Sequence, residues 1–399
     1  MTNDKDSEGI PEGYDNREHA YIKHCLLKEY LQKLFLIIGM GSRESEVVEI
    51  CYVDCFAGPW LDDSDNLEAT SIAISLDILK RSERELQNQG KRVKFRALYI
   101  EKNKGAFARL EQHLRNHSPK DIETKALKGN FVELRQEILD WCGKDSFAFF
   151  FIDPKGWAVV QVEVLEMLLR RPRSEFLINF MYDSLNRFVE KPTLQNQIAK
   201  LFGEVPKIDG LTPAAREKQL LFTYRKNLKR SIPSNKRYPA RSAYVCIRDP
   251  EKDRTKYHLV YLTSHPVGII EFMEISEKVD LVQKQVRATT KQNKRIEKSG
   301  QKELFGSQEF VSEDEGHATL EEVEKFWLTK LSSIPRKLER HDFADLIEET
   351  DWFPGDLQEA LGRLMAQGKV RNLDAKGKRR SQFLHYKIGE RLQLIGDAQ

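Results

Sequence analysis

The chain has 399 residues, 40% of them hydrophobic and 32% charged, with a net charge of +3. That length exceeds what one hydrophobic core usually organises, which predicts two domains, and no apolar run approaches the ~20 residues of a membrane-crossing helix, which argues against a membrane partner. The near-balanced total says little about partners, so charge has to be read by its distribution.

Residues 1–18 read as an acidic, polar tail without the basic start and apolar centre of a secretory signal, which predicts a cytoplasmic protein. His19 to Ile38 has the spacing of an amphipathic helix, with Ile22, Leu26, Leu27, Tyr30, Leu31, Leu34 and Phe35 on one face. Short apolar runs then alternate with helical segments. Ile50–Cys55, Phe95–Ile100, Glu123–Leu127, Phe147–Ile152 and Phe176–Phe180 are predicted strands; Ala69–Gln87, Lys104–His117, Phe131–Trp141 and Val160–Arg170 are predicted helices. Strict alternation implies parallel strands joined by crossover helices, hence an α/β, Rossmann-like doubly wound sheet.

A helical, basic insertion over 186–238 follows. From Thr212 to Arg241 the only acidic residue is Glu217, against nine basic ones, and Arg225, Lys226, Lys229 and Arg230 are its candidate nucleic-acid contacts. Ser242–Arg248 and Tyr257–Thr263, separated by a charged turn, predict an antiparallel hairpin. Such a hairpin closes a methyltransferase sheet, whereas a dehydrogenase sheet continues in parallel. The catalytic domain is therefore placed at 19–283. Residues 284–316, rich in Gln, Lys, Ser and Glu, read as a partly helical lead-in and linker. Residues 317–399 read as a winged helix-turn-helix domain: helices over Leu320–Leu331, Phe343–Glu349 and after Pro354, then strands near Lys369–Leu373 and Gln382–Ile388. The basic turn between those strands, with Lys376, Lys378, Arg379 and Arg380, is the expected wing.

The five cysteines are odd in number and mostly embedded in apolar runs, the pattern of buried reduced thiols. Cys51 and Cys55 are four apart, but no further Cys or His cluster completes a set, so no metal site is predicted.

In an open parallel sheet the ligand binds beyond the carboxyl ends of the strands. The first strand leads into Asp54-Cys55-Phe56-Ala57-Gly58-Pro59, where Gly58 lets backbone approach a ligand, although a plain tight turn would look the same. The second ends in Glu101, a carboxylate suited to ribose hydroxyls. The third leads into Gly129-Asn130, whose amide suits an adenine edge. The fourth ends in Asp153-Pro154-Lys155-Gly156-Trp157, with a helix cap as the alternative role for Asp153. No Gly-x-Gly-x-x-Gly signature occurs and Glu101 lies far beyond the usual ~20 positions after the glycine turn, which disfavours a nicotinamide enzyme.

Together these four turns resemble the three-Cys-motif partner family (TcmP), over nearly the whole chain. The resemblance implies a Rossmann-like S-adenosylmethionine-dependent methyltransferase with a C-terminal winged helix, and a neighbouring radical-S-adenosylmethionine-like triple-cysteine protein as partner. It implies cofactor over Asp54, Phe56, Ala57, Gly58 and Pro59, with Glu101 on its ribose and Asn130 near its adenine. Asp153 and Pro154 would face the methyl group, as in amino-methyltransferases. Two departures stand out: Lys155 and Gly156 replace the usual Pro and aromatic residue, leaving Trp157 to supply stacking, and Trp60 replaces a Gly after Pro59. The expected activity is methyl transfer to nucleic acid or a nucleotide-bearing substrate. The alternative is a non-catalytic adaptor that recruits its partner to nucleic acid.

Overall fold

The computed structural model describes residues 10–11, 13–14, 17–41, 46–58, 67–299, 318–377 and 379–395. Helix α1 (Glu18–Met40) precedes an alternation of β1 (Val47–Asp54), α2 (Ser71–Asn88), β2 (Arg92–Glu101), α3 (Lys104–His117), β3 (Glu123–Lys128), α4 (Phe131–Cys142), β4 (Phe147–Ile152), α5 (Val162–Leu169) and β5 (Ser174–Phe180). Helices α6 (Tyr182–Asn186), α7 (Gln195–Phe202) and α8 (Pro213–Arg230) lead to the hairpin of β6 (Arg241–Arg248) and β7 (Thr255–Thr263), followed by the long helix α9 (Pro266–Ser299).

The strands form one sheet in the order β3-β2-β1-β4-β5-β7-β6. β1 to β5 are parallel, and β7 runs antiparallel to both β5 and β6, so the doubly wound sheet with a terminal antiparallel hairpin forms as the sequence pattern predicts. Core residues of α1, α2, α3 and α9 cover one face, and those of α4, α5, α7 and α8 the other. β4 is buried at all six positions because both its faces are covered, which is why it carries no polar alternation. The order reverses between β1 and β4, and that switch point sets the place of a ligand cleft.

Residues 284–299 of the expected linker continue α9 without a break. Val286 and Ala288 still face the core, and Arg287 donates to Asp249 O at 3.1 Å and to Asp253 Oδ1 at 2.8 Å. The remainder of that linker lies outside the described residues.

The C-terminal unit contains α10 (Leu320–Lys330), β8 (Arg336–Leu338), α11 (Arg340–Thr350), α12 (Pro354–Ala366), β9 (Val370–Asn372) and β10 (Glu390–Leu394). Its sheet, in the order β8-β10-β9, is antiparallel, giving the three helices and wing of a winged helix-turn-helix. Two details correct the sequence reading. β8 was not expected, and the last strand is 390–394 rather than 382–388. Leu384 and Tyr386 are buried at alternate positions like strand residues, but a loop holds them: the Gln358 amide accepts from Phe383 N and Leu384 N at 2.8 and 2.9 Å and donates to Leu384 O. Trp327 anchors this core, its indole N–H donating to Leu357 O at 2.9 Å. Where α12 meets α9, Gly355 N donates to Glu277 Oε2 at 3.1 Å, and a Cβ at 355 would overlap that carboxylate.

Candidate active site

The ladder continues past β1: Cys55 N donates to Phe151 O at 2.9 Å and Ala57 N to Ile100 O at 2.8 Å. The turn is thereby held at the carboxyl edge of the sheet, between β2 and β4. There a cavity of 640 Å³ opens, lined by Phe56, Gly58, Ile100, Glu101, Gly129, Asn130, Phe131, Pro154 and Gly156. Its floor is apolar, with the Phe56 and Phe131 rings 5.2 Å apart. Glu101 is buried and its Oε1 accepts from Asn103 N at 2.6 Å, which fixes the carboxylate against the cavity wall. The size lies within the range of small-molecule sites.

Other expected site residues take supporting positions. Asp54 is fully buried behind the turn and accepts from Phe56 N at 3.1 Å and from Ser71 Oγ at 2.6 Å. Burial pushes its carboxyl up to about 7, against the pull of those two bonds. Ala57 is buried with its backbone in the ladder. Asn130 lines the cavity, but its Oδ1 caps α4 by accepting from Val132 N at 3.0 Å. Trp157 is partly buried against the core on the α5 side and is not among the residues lining the cavity. Pro59 lies outside the described residues.

Asp153 does not cap a helix. Its Oδ2 is paired with Lys23 of α1, and its Oδ1 accepts from Asn179 Nδ2 of β5 at 2.6 Å. His19, one turn earlier on α1, contacts Lys256 Nζ at 3.0 Å and gives its carbonyl to Tyr257 OH at 2.8 Å. Burial first, then the neighbouring Lys256, pushes the His19 imidazole down to about 4. A polar patch built on Asp153, Asn179, Lys23 and His19 therefore adjoins the apolar cavity, and Pro154 links the two. Asn103 was legible as a helix cap ahead of Lys104, since its Oδ1 accepts from Gly105 N and Ala106 N. Lys23 and Asn179 carry no local signal; only the fold brings them to Asp153.

Residues 291–377 match the family model described as the GMT-like wHTH domain. No curated protein matches the chain. Among solved structures, a Legionella pneumophila protein is similar at 12% identity and a TM-score of 0.37, covering 67% of this chain and 92% of its own. Human methyltransferase-like protein 13 in complex with SAH is similar at 11% identity and 0.30, over 67% and 91%. Precorrin-6y C5,15-methyltransferase from Geobacter metallireducens is similar at 10% identity and 0.28, over 59% and 88%. Likeness at this level leaves the site's own geometry to carry the functional reading.

The expected nucleic-acid contacts are placed differently from the sequence reading. Arg225 is buried, donates to Asp351 Oδ2 at 2.8 Å with the other carboxylate oxygen 2.7 Å away, and donates to Ser242. Lys229 pairs with Glu348 at 2.6 Å and the buried Arg241 with Asp345 at 2.6 Å. All three carboxylates belong to α11 or the residue after it, so this part of the basic cluster is a seam between the two units, which corrects the expectation that Arg225 and Lys229 face phosphates. Lys226 pairs with Glu204 at 3.0 Å and Arg230 donates to Asn227 Oδ1 at 2.7 Å. On the wing, Arg379 is taken by the buried Glu390; burial opposes that charge, yet the guanidinium holds the Glu390 carboxyl down to about 2. Arg380 and Lys376 are exposed, and Lys378 lies outside the described residues.

Arg225→Ala is expected to cost about 2 kcal/mol, because it strands the Ser242 carbonyl and a half-buried Asp351. Urea unfolding measures this. Asp351→Ala on top of it should add little, and full additivity would show that the pair does not act as a unit.

Proposed function

We propose that this chain is an S-adenosylmethionine-dependent methyltransferase of the three-Cys-motif partner type, acting on nucleic acid or a nucleotide-bearing substrate. The observation that carries the reading is the cavity at the switch point, which combines an apolar floor with a carboxylate fixed at the end of β2. That arrangement fits an adenosine: Phe56, Ile100 and Phe131 suit the flat base, and Glu101 suits the ribose hydroxyls. Gly129 and Gly58 keep side chains out of the turns nearest to it.

The cofactor supplies a methyl group on a cationic sulfur. The chain's own part is to hold the acceptor. Asp153, at the end of the fully buried β4, is kept in place by Asn179 and Lys23 and accepts a hydrogen bond from an acceptor amine, orienting its lone pair. Pro154 restricts the turn beside it. Lys23 occupies that carboxylate, so a substrate amine displaces it on binding. This pairing also favours the second reading, an adaptor that binds cofactor without turnover. The exposed wing residues Lys376 and Arg380 supply phosphate contacts in either reading, and a triple-cysteine protein is the proposed partner.

Isothermal calorimetry with S-adenosylmethionine and its demethylated product is expected to show binding, weakened at least about tenfold by Glu101→Ala, roughly 1.4 kcal/mol. Binding of NADH in place of both would overturn the assignment. Transfer of labelled methyl groups to DNA, RNA and protein fractions in parallel separates the enzyme from the adaptor: label in a nucleic-acid fraction is expected, and none in any fraction leaves the adaptor.

A further inference from the structure

At the far edge of the sheet, three side chains that no step above uses come together. Glu217 of α8, Cys246 of β6 and His258 of β7 place one carboxylate oxygen, the thiol sulfur and an imidazole nitrogen all within 4.8 Å of one another. Cys246 and His258 face each other across the ladder. The His258 ring is walled by Tyr182 at 5.6 Å and Tyr244 at 5.2 Å and is 2% exposed. Its Nδ1 makes no hydrogen bond among the described residues. Glu217 Oε1 lies 2.9 Å from Nε2, an ion-pair contact.

A buried imidazole with one ring nitrogen unpartnered is costly, and buried polar groups of this kind call for a water or an ion. We propose that Glu217, Cys246 and His258 form a site for a divalent cation of the zinc class. Thiolate and imidazole ligands select against magnesium and calcium, which take oxygen donors. The ligand set Cys, His and carboxylate is one that zinc accepts, with a fourth tetrahedral position left for water or Thr255 Oγ1, 3.3 Å from the Cys246 sulfur. Charge also balances: one thiolate and one carboxylate offset a dication, so the burial leaves no net charge. Binding releases the thiol proton. The bound ion ties α8, which carries Arg225 and Lys229 of the seam, to the hairpin.

The full chain, stripped with a chelator and titrated with Co²⁺, is expected to take up one equivalent with an intense thiolate-to-cobalt absorption band, and Zn²⁺ is expected to displace it. Cys246→Ser removes the band. Glu217→Gln, at the partly exposed rim of the cluster, keeps the fold by circular dichroism and weakens Co²⁺ at least about tenfold, the lower end of what losing even a ligand's supporting hydrogen bond costs. Absence of the band in the wild type, or an unchanged band and affinity in both variants, overturns the proposal.

Discussion

Asp153→Ala is expected to lose methyl transfer by at least about a hundredfold, the scale of a misplaced acceptor, while affinity for the demethylated cofactor stays within about tenfold. The separation follows from placement: the Asp153 carboxylate engages Lys23 and Asn179 and is not among the groups lining the cofactor cavity. The same change also orphans Lys23, whose side chain is 12% exposed, so the variant loses about 3 kcal/mol of stability as well. Lys23→Ala in the Asp153→Ala background distinguishes the two consequences. Stability returns, because no unpaired ammonium remains, but transfer does not. Recovery of transfer together with stability would make Asp153 a structural residue.

Asp54→Asn changes how stability depends on pH. Burial raises the Asp54 carboxyl from its ordinary 3.8 to about 7, with Asp153 nearby pushing the same way and Ser71, Phe56 N–H and Lys23 opposing. The native state therefore holds a proton that the unfolded chain releases earlier. The stability this contributes is complete below about pH 4 and is lost as pH rises through about 7, amounting to about 4 kcal/mol over the interval. Asparagine keeps both hydrogen bonds, donating to Ser71 Oγ and accepting from Phe56 N, without titrating. Relative to the wild type, the variant gains nothing near pH 4 and becomes more stable by up to about 4 kcal/mol above pH 7. Urea unfolding at about pH 5 and about pH 8 measures the difference; parallel curves for the two proteins would show that Asp54 is already ionised in the native state.

The large sheet was legible because its strands are buried on both faces and so appear as unbroken apolar runs, Phe147–Ile152 most plainly. The turns after β1, β2 and β3 were legible as cavity-lining because strand ends in such a sheet define the cleft. Partnership at long range was not. Arg225 and Asp351 are 126 positions apart and Lys23 and Asp153 are 130 apart, so charges that read as solvent-facing or catalytic in sequence turn out to be matched across the fold. Arg379 looked like a free wing residue for the same reason, with Glu390 hidden beyond the loop. β8 is three residues long, with Arg336 and Lys337 exposed and Leu338 buried, too short to show a period. The run at 382–388 alternates like a strand, yet side chains take its backbone bonds, Gln358 at Phe383 and Leu384 and Glu390 at His385, and Ile388 ends it 72% exposed. The candidate metal ligands escaped notice because each stands on a different element with no spacing motif.

The contact between Gly355 and Glu277 carries an evolutionary corollary. Any side chain at 355 would run into the Glu277 carboxylate, and the same carboxylate receives the Gly355 amide at the start of α12. Substitution at either position alone costs α12 its amide partner on α9, while the carboxylate, at the end of a flexible side chain, can swing aside from a new Cβ. Relatives that carry a larger residue at the equivalent of 355 are expected to give up this one contact between two positions 78 residues apart while keeping the packing of α12 on α9.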